Sequence, residues 1–250
     1  MAGEGMRKPV GQGLPAPLAR RLAAGQWLRT AHGGASYVAP DNSRAAIAAA
    51  VDLGVDMVEV DARLTADGQL ALWHDDAVRA GGVTLSIAAS PLAAIQRLDV
   101  GRGERIITLD DAMEVVRGRT ALLIDLKADG LARQIVEAVQ RRDFAPAAVC
   151  GHYWETLREV RRLVPEVGIS LTLDRRWREA YGEGIIERID TDAVTIDWRA
   201  LDPALLARFH TRGLAVLAWT VDEPALMRRL LDMGVDGLTS NRPDLFAEVA

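Results

Sequence analysis

NSRAAIAAAVDLGVDMVEVD, residues 42–61, runs from a helix directly into a strand, and its repetition decides the fold. The first part spaces Ala46, Ile47, Ala50 and Val51 at helical intervals, with Asp41 or Asn42 after Pro40 as the expected cap and Gly54 as the stop. The second part is a short apolar run of strand type at 56–61. Similar runs recur near 27–31, 121–126, 146–150, 168–173, 193–197, 214–219 and 236–240, which makes eight. Helix-like segments such as LARQIVEAVQRRD and DPALLARFHTRG lie between them.

Ala-rich helices feeding parallel strands eight times over predict an α/β fold, a (β/α)8 TIM barrel in a single domain. An open doubly wound sheet is the rival. The spacing departs from regularity once, after the second strand, where residues 62–120 form an insert holding LALWHDD, SPLAAIQRL and TLDDAMEVV. The barrel is expected over 27–250. Residues 1–26 form an N-terminal extension, in which APLARRLAAGQW can fold as a helix closing the bottom of the barrel.

Composition narrows the function classes. Apolar residues make up 49% of the 250-residue chain and charged residues 26%, which is ordinary for a folded globule. The net charge of -5 and the absence of a concentrated basic face argue against nucleic acid as a partner. No apolar window is long enough for a transmembrane helix, and the Gly- and Pro-broken N-terminus lacks a signal-peptide core. The lone Cys150 reads as a buried structural thiol in a cytoplasmic protein. Oligomeric state leaves no mark in the sequence.

Chemistry concentrates in VEVDARLTADGQLALWHDD, residues 58–76. Strand side chains alternate, so Glu59 and Asp61 share a face at the end of the second strand. A two-residue Asp67-Gly68 turn would pair Ala66 with Gln69 and bring His74 opposite Asp61. Asp125 and Lys127 share a face on the next strand, in LLIDLKADG. Three carboxylates at the C-terminal end of a barrel suit a hard divalent cation, Mg²⁺ or Ca²⁺.

Lys127 stands out because Lys8 is the only other lysine among 30 basic residues; a compact ammonium there suggests a phosphate oxygen. His32 ends the first strand beside these carboxylates, so His32 and His74 form a candidate acid/base pair. His152, in CGHYWE, and Trp219, ending AVLAWT, are candidate substrate-binding residues, while core packing and a structural role remain open for each. His210 reads as a helix-surface residue, and Asp75 and Asp76 as groups that cap or solvate the next loop.

In order and spacing, AHGG, APDNSRAAIAAAVDLGVDMVEVDARLTADGQLALWHDD, ITLDD, LLIDLK and LAVLAWTVDEPALMRRLLDMGVDGLTSNRPDL resemble the glycerophosphodiester phosphodiesterases. That family shares its barrel with phosphatidylinositol-specific phospholipases C and sphingomyelinases D. The resemblance implies His32 and His74 as acid and base, Glu59, Asp61 and Asp125 as metal ligands, and Lys127 as a phosphate contact. Two positions depart from it: Gly33 stands where the family carries arginine, and Asp125 where it more often carries glutamate.

The expected activity is metal-dependent cleavage of a small phosphodiester substrate, such as glycerophosphocholine, to glycerol phosphate and an alcohol. The alternatives are a lysophospholipase D acting on a bulkier substrate, with Gly33 giving room, and a barrel that binds phosphodiesters without cleaving them. A metal-dependent isomerase or aldolase would use similar groups but leaves the ordered motifs unexplained.

Overall fold

The computed structural model describes residues 9–144, 146–188 and 190–249, so the first eight residues of the expected extension lie outside it. In chain order the strands are β1 (Leu28–His32), β2 (Met57–Leu64), β3 (Leu70–Leu72), β4 (Ala77–Ala80), β5 (Val83–Ser86), β6 (Ala121–Leu126), β7 (Ala147–Gly151), β8 (Gly168–Leu173), β9 (Ala193–Asp197), β10 (Ala215–Trp219) and β11 (Gly237–Ser240). The helices are α1 (Ala16–Ala23), α2 (Arg44–Asp52), α3 (Leu92–Ile95), α4 (Leu109–Val116), α5 (Ala132–Arg141), α6 (Trp154–Leu163), α7 (Trp177–Tyr181), α8 (Ile185–Arg188), α9 (Pro203–Thr211) and α10 (Pro224–Met233).

Eight parallel strands form a closed ring in the order β1-β11-β10-β9-β8-β7-β6-β2, and β1 also pairs with β2, His32 lying opposite Glu59. Closure excludes the open sheet. The strands read as continuous apolar runs because both faces are covered. Val58, Val60, Leu122, Ile124 and their equivalents face the helices. Leu28, Met57, Leu123, Ala148, Ala215 and Leu217 cluster on the inside, together with Leu14 and Leu18.

Those two leucines show what the N-terminal helix does. α1 starts at a Pro15-bounded turn, and Leu14 (5% exposed) and Leu18 (2%) insert among small inward residues of the strands. Burying a leucine side chain contributes about 1.5–3 kcal/mol. The segment is tied down where Gly11 N donates to Gly213 O at 3.0 Å. Gly13 must be glycine, since a Cβ would lie 1.7 Å from Asp192 Oδ1. Asp192 is buried and accepts from Ile169 N and from Arg161.

The expected cap of α2 is corrected by one position. Ser43 accepts from Ala46 N at 3.2 Å and caps the helix, while Asn42 takes a left-handed backbone (φ 63°) and turns toward the barrel. The hairpin register also differs. β2 and β3 pair Ala62 with Leu72 and Leu64 with Leu70, and Thr65 N donates to Gln69 O at 2.9 Å. Gly68, at φ 76°, adds a third residue to the loop, so Asp61 does not face His74. Instead Trp73 N donates to Asp61 O at 2.9 Å, and the chain leaves the ladder just before His74. The insert continues as the β4–β5 hairpin, α3 and α4, with Val78, Ile87, Ile95 and Ile106 forming its own small core.

Candidate active site

At the C-terminal end of the barrel, one cavity of about 170 Å³ is lined by His32, Glu59, His74, Asp125, Lys127, His152 and Trp219, among others. Every cavity residue expected from the sequence is therefore present, and Asp61 lies beside it through its contact with Lys127. Glu59, Asp61 and Asp125 are 4%, 3% and 8% exposed, and one oxygen from each lies within 4.8 Å of the others. Parallel pairing sets this up, because the register puts Asp61 directly beside Asp125.

Glu59 Oε1 and Asp125 Oδ1 are buried without a hydrogen-bond partner, and Asp61 Oδ1 has only the Lys127 ammonium beside it. Their other oxygens are fixed. Gly33 N donates to Glu59 Oε2 at 3.0 Å, Asn42 Nδ2 to Asp61 Oδ2 at 2.7 Å, and Lys127 Nζ to Asp125 Oδ2 at 2.6 Å. Lys127 Nζ also lies 3.0 Å from Asp61 Oδ1. Three anionic groups against one ammonium leave excess negative charge in a nearly dry site. Hard, convergent oxygen donors of this kind fit a divalent cation.

Electrostatics follow from that crowding. Burial, reinforced by Asp61 and Asp125, pushes the Glu59 carboxyl well above the usual carboxylate range. Burial pushes Asp61 the same way, but the Lys127 charge and the Asn42 amide outweigh it and hold Asp61 below its ordinary value. Burial disfavours the Lys127 charge, yet Asp125, Asp61 and Glu59 together keep that ammonium protonated beyond its normal range. Cys150 is buried as expected, and burial beside Asp125 raises its thiol pKa well above normal.

The two histidines are oriented by oxygen acceptors. Asp222 can only accept, and it takes hydrogen bonds from Asn241 N and Asn241 Nδ2, each at 2.8 Å. Asn241 must therefore turn its Oδ1 toward His32 Nδ1, 2.7 Å away. That nitrogen is the donor, which leaves His32 Nε2, 3.9 Å from Glu59 Oε2, as the one that can take or give a proton. His74 Nδ1 lies 3.0 Å from Asp75 Oδ1, so there too Nδ1 donates and Nε2 is left for proton exchange. Asp75 is thus a partner of His74 and not merely a loop cap.

Asn241 and Asp222 escaped the sequence reading, and Asn42 was expected only as a helix cap. A signal for Asn241 existed: inward positions alternate along β11 and place residue 241 two beyond Thr239. His152 is exposed at the rim, where its carbonyl accepts from Tyr181 Oη at 2.6 Å. His210 lies on α9 outside the site, its side chain 31% exposed and its Nε2 2.8 Å from Asp236 Oδ2. The backbone at Gly33 and Gly34 is left-handed, φ 61° and 91°, and a Cβ on Gly34 would lie 2.5 Å from the Ala46 carbonyl carbon. The His32 loop can therefore press onto α2 only with glycine there.

The fold is a TIM barrel, and the relatives that this chain matches place it among the phosphoric diester hydrolases. The chain belongs to the glycerophosphoryl diester phosphodiesterase family, whose sequence signature matches residues 32–245. It is 32% identical to the "Probable glycerophosphodiester phosphodiesterase 2" of Mycobacterium tuberculosis, covering 94% of each chain. A glycerophosphodiester phosphodiesterase of Caldanaerobacter subterraneus is 28% identical over 86% of this chain and 93% of its own. Among solved structures, an Oleispira antarctica phosphodiesterase in complex with the product sn-glycerol-3-phosphate superposes with a TM-score of 0.79. That protein is 25% identical, and the match covers 89% of this chain and 96% of it. No helix among the described residues is long and apolar enough to cross a membrane.

Proposed function

We propose that the protein hydrolyses small glycerophosphodiesters to glycerol phosphate and an alcohol in a metal-dependent reaction. One observation carries this reading: three buried carboxylates converge at a cavity that His32 and His74 line, and Glu59 Oε1 and Asp125 Oδ1 there have no partner. Glu59, Asp61 and Asp125 would hold Mg²⁺ or Ca²⁺, whose charge polarises the phosphate ester. Lys127, held at the edge of the same cluster, faces the phosphate as the one lysine or arginine lining the cavity among the described residues.

His32 and His74 exchange protons with the attacking and leaving oxygens through Nε2, since Nδ1 of each is engaged elsewhere. Trp219 and His152 border the path of the substrate. The buried, unpaired Cys150 accords with a cytoplasmic enzyme.

The test is release of glycerol phosphate from a panel of glycerophosphodiesters and lysophospholipids, with Mg²⁺, Ca²⁺ or EDTA. Metal-dependent release from the glycerophosphodiesters, lost in His32→Ala, is the expected result. Cleavage of lysophospholipids alone would replace the substrate class, and silence across the panel would make the barrel a binding protein.

A further inference from the structure

Among the described residues no arginine lines the cavity, yet arginines gather on the rim beyond it. On β9, Thr195 lines the cavity, and Asp197 follows two positions later on the same strand face, level with Trp219 of β10. Asp197 therefore stands one layer nearer the mouth than Thr195. It is only 3% exposed, and two guanidiniums serve it. Arg199 holds it in a fork, Nε to Oδ1 and Nη2 to Oδ2, each at 2.8 Å, and Arg199 N adds a bond to Oδ1 at 3.0 Å.

Those three bonds satisfy the buried carboxylate, so Arg175, on the turn after β8, is surplus to it. Its Nε stays 3.7 Å from Asp197 Oδ2, beyond hydrogen-bond length, and its side chain is 64% exposed. Arg176 is exposed beside it and pairs with no carboxylate among the described residues. Asp174, the acid of the same turn, accepts from Arg176 N at 2.8 Å. Three guanidiniums thus face two carboxylates on this side of the mouth, although the whole chain carries a net charge of -5.

A solvated rim accounts for Arg176 by itself. Arg199 is different, because the fork on Asp197 and the Trp198 ring, 5.6 Å from its guanidinium carbon, fix it in place. With Nε and Nη2 engaged, its Nη1 donors are left over, and a planar guanidinium held in this way is suited to an oxyanion. Arg175 supplies a second such group within reach of the same carboxylate.

We propose that Arg175 and Arg199 form an anion subsite on the rim, which takes a second anionic group, a phosphate or a carboxylate, carried by the departing alcohol. The proposal rests on the glycerophosphodiester reading and names its substrate class: diesters whose alcohol is itself charged. The phosphate to be cleaved stays with the carboxylate cluster and Lys127, and the alcohol extends outward past Trp219 to the guanidiniums. Asp197 keeps its fork throughout, so no buried charge is uncovered when the anion arrives.

The experiment compares kcat/KM for three glycerophosphodiesters that differ in the departing alcohol alone: glycerol, glycerol phosphate and glycerate. At low ionic strength wild type should favour the charged alcohols about tenfold over glycerol, and the gap should shrink in high salt. A preference for both supports a general oxyanion subsite, and a preference for one names the anion it takes. Arg175→Gln should narrow the ratio and Arg175→Glu should reverse it, with melting curves confirming the fold. Equal values for all three substrates in wild type, which needs no variant to observe, overturn the proposal. So does a preference that survives in folded Arg175→Glu. If wild type cleaves none of the three, the proposed activity fails, and calorimetric dissociation constants for the same compounds decide the subsite: a tighter charged ligand keeps it, and equal affinities overturn it.

Discussion

Asn241 Oδ1 and His32 Nδ1 are 2.7 Å apart although 209 positions separate them, and Asp222 decides which way that amide faces. The strand after the last helix thereby controls the tautomer of a residue on the first strand. Asn241→Leu should lower kcat about 10–100-fold, the usual effect of losing such a supporting partner, with little change in KM. Asp222→Asn, which lets the amide turn over, should act in the same direction. Unchanged kcat in both variants would show that His32 needs no orientation from this pair.

Glu59 is buried beside two further carboxylates that raise its pKa, so in the metal-free protein its charge opposes folding. Glu59→Gln keeps an acceptor for Gly33 N and removes the charge. Without metal the variant should melt higher, by about 2–4 °C for each kcal/mol relieved. Titration with Ca²⁺ should raise the melting temperature of wild type and much less that of the variant. EDTA should abolish wild-type activity reversibly. A variant melting below wild type in EDTA would contradict the charge-crowding account.

Lys127 Nζ bridges Asp125 at 2.6 Å and Asp61 at 3.0 Å, with its side chain 18% exposed. Removing one member of such a buried pair costs about 3–5 kcal/mol. Lys127→Met should therefore lower the melting temperature by roughly 6–20 °C in the metal-free protein. Added divalent metal should recover part of that loss. Thermal melts with and without metal decide it; a variant as stable as wild type in EDTA would mean the two carboxylates are protonated there.

His210 lies outside the active site and gives a stability effect free of catalysis. Its hydrogen bond to Asp236 raises its folded pKa above the ordinary 6.5, despite partial burial. Such a group contributes its stability in full below the unfolded pKa and loses it as pH rises through the folded value. Wild type should thus lose an increment of stability on passing from pH 6 to pH 8 that His210→Gln does not lose. Denaturant midpoints across that range measure the difference, and parallel profiles would rule the linkage out.

Much of this architecture was legible because each barrel strand is short, apolar and bounded by a helix. The runs at 121–126, 168–173 and 193–197 coincide with β6, β8 and β9. Glu59, Asp61, Asp125 and Lys127 could be grouped because alternation along a strand needs no knowledge of what lies opposite. The hairpin could not be registered that way. Whether Gly68 turns within two residues or three depends on backbone twist, and one residue moved His74 off its expected partner. Asn42 was misread for a related reason: a polar residue ahead of a helix looks like its cap, and only the folded barrel shows Asp61 competing for it. Asp75 could be separated from ordinary loop carboxylates only once its distance to His74 was known.

The seating of Leu14 and Leu18 has a consequence for how the chain leaves the ribosome. Their neighbours include Ala193, Ala215 and Leu217, and Gly11 is anchored to Gly213, so the seat for residues 11–18 is completed by residues 193–217, which are synthesised much later. Through most of translation that helix has nowhere to dock, and Arg20 and Arg21 on it stay open to trypsin. Chains stalled before β10 should be cut there and chains extended past β11 protected. The barrel's floor is thus laid after its walls.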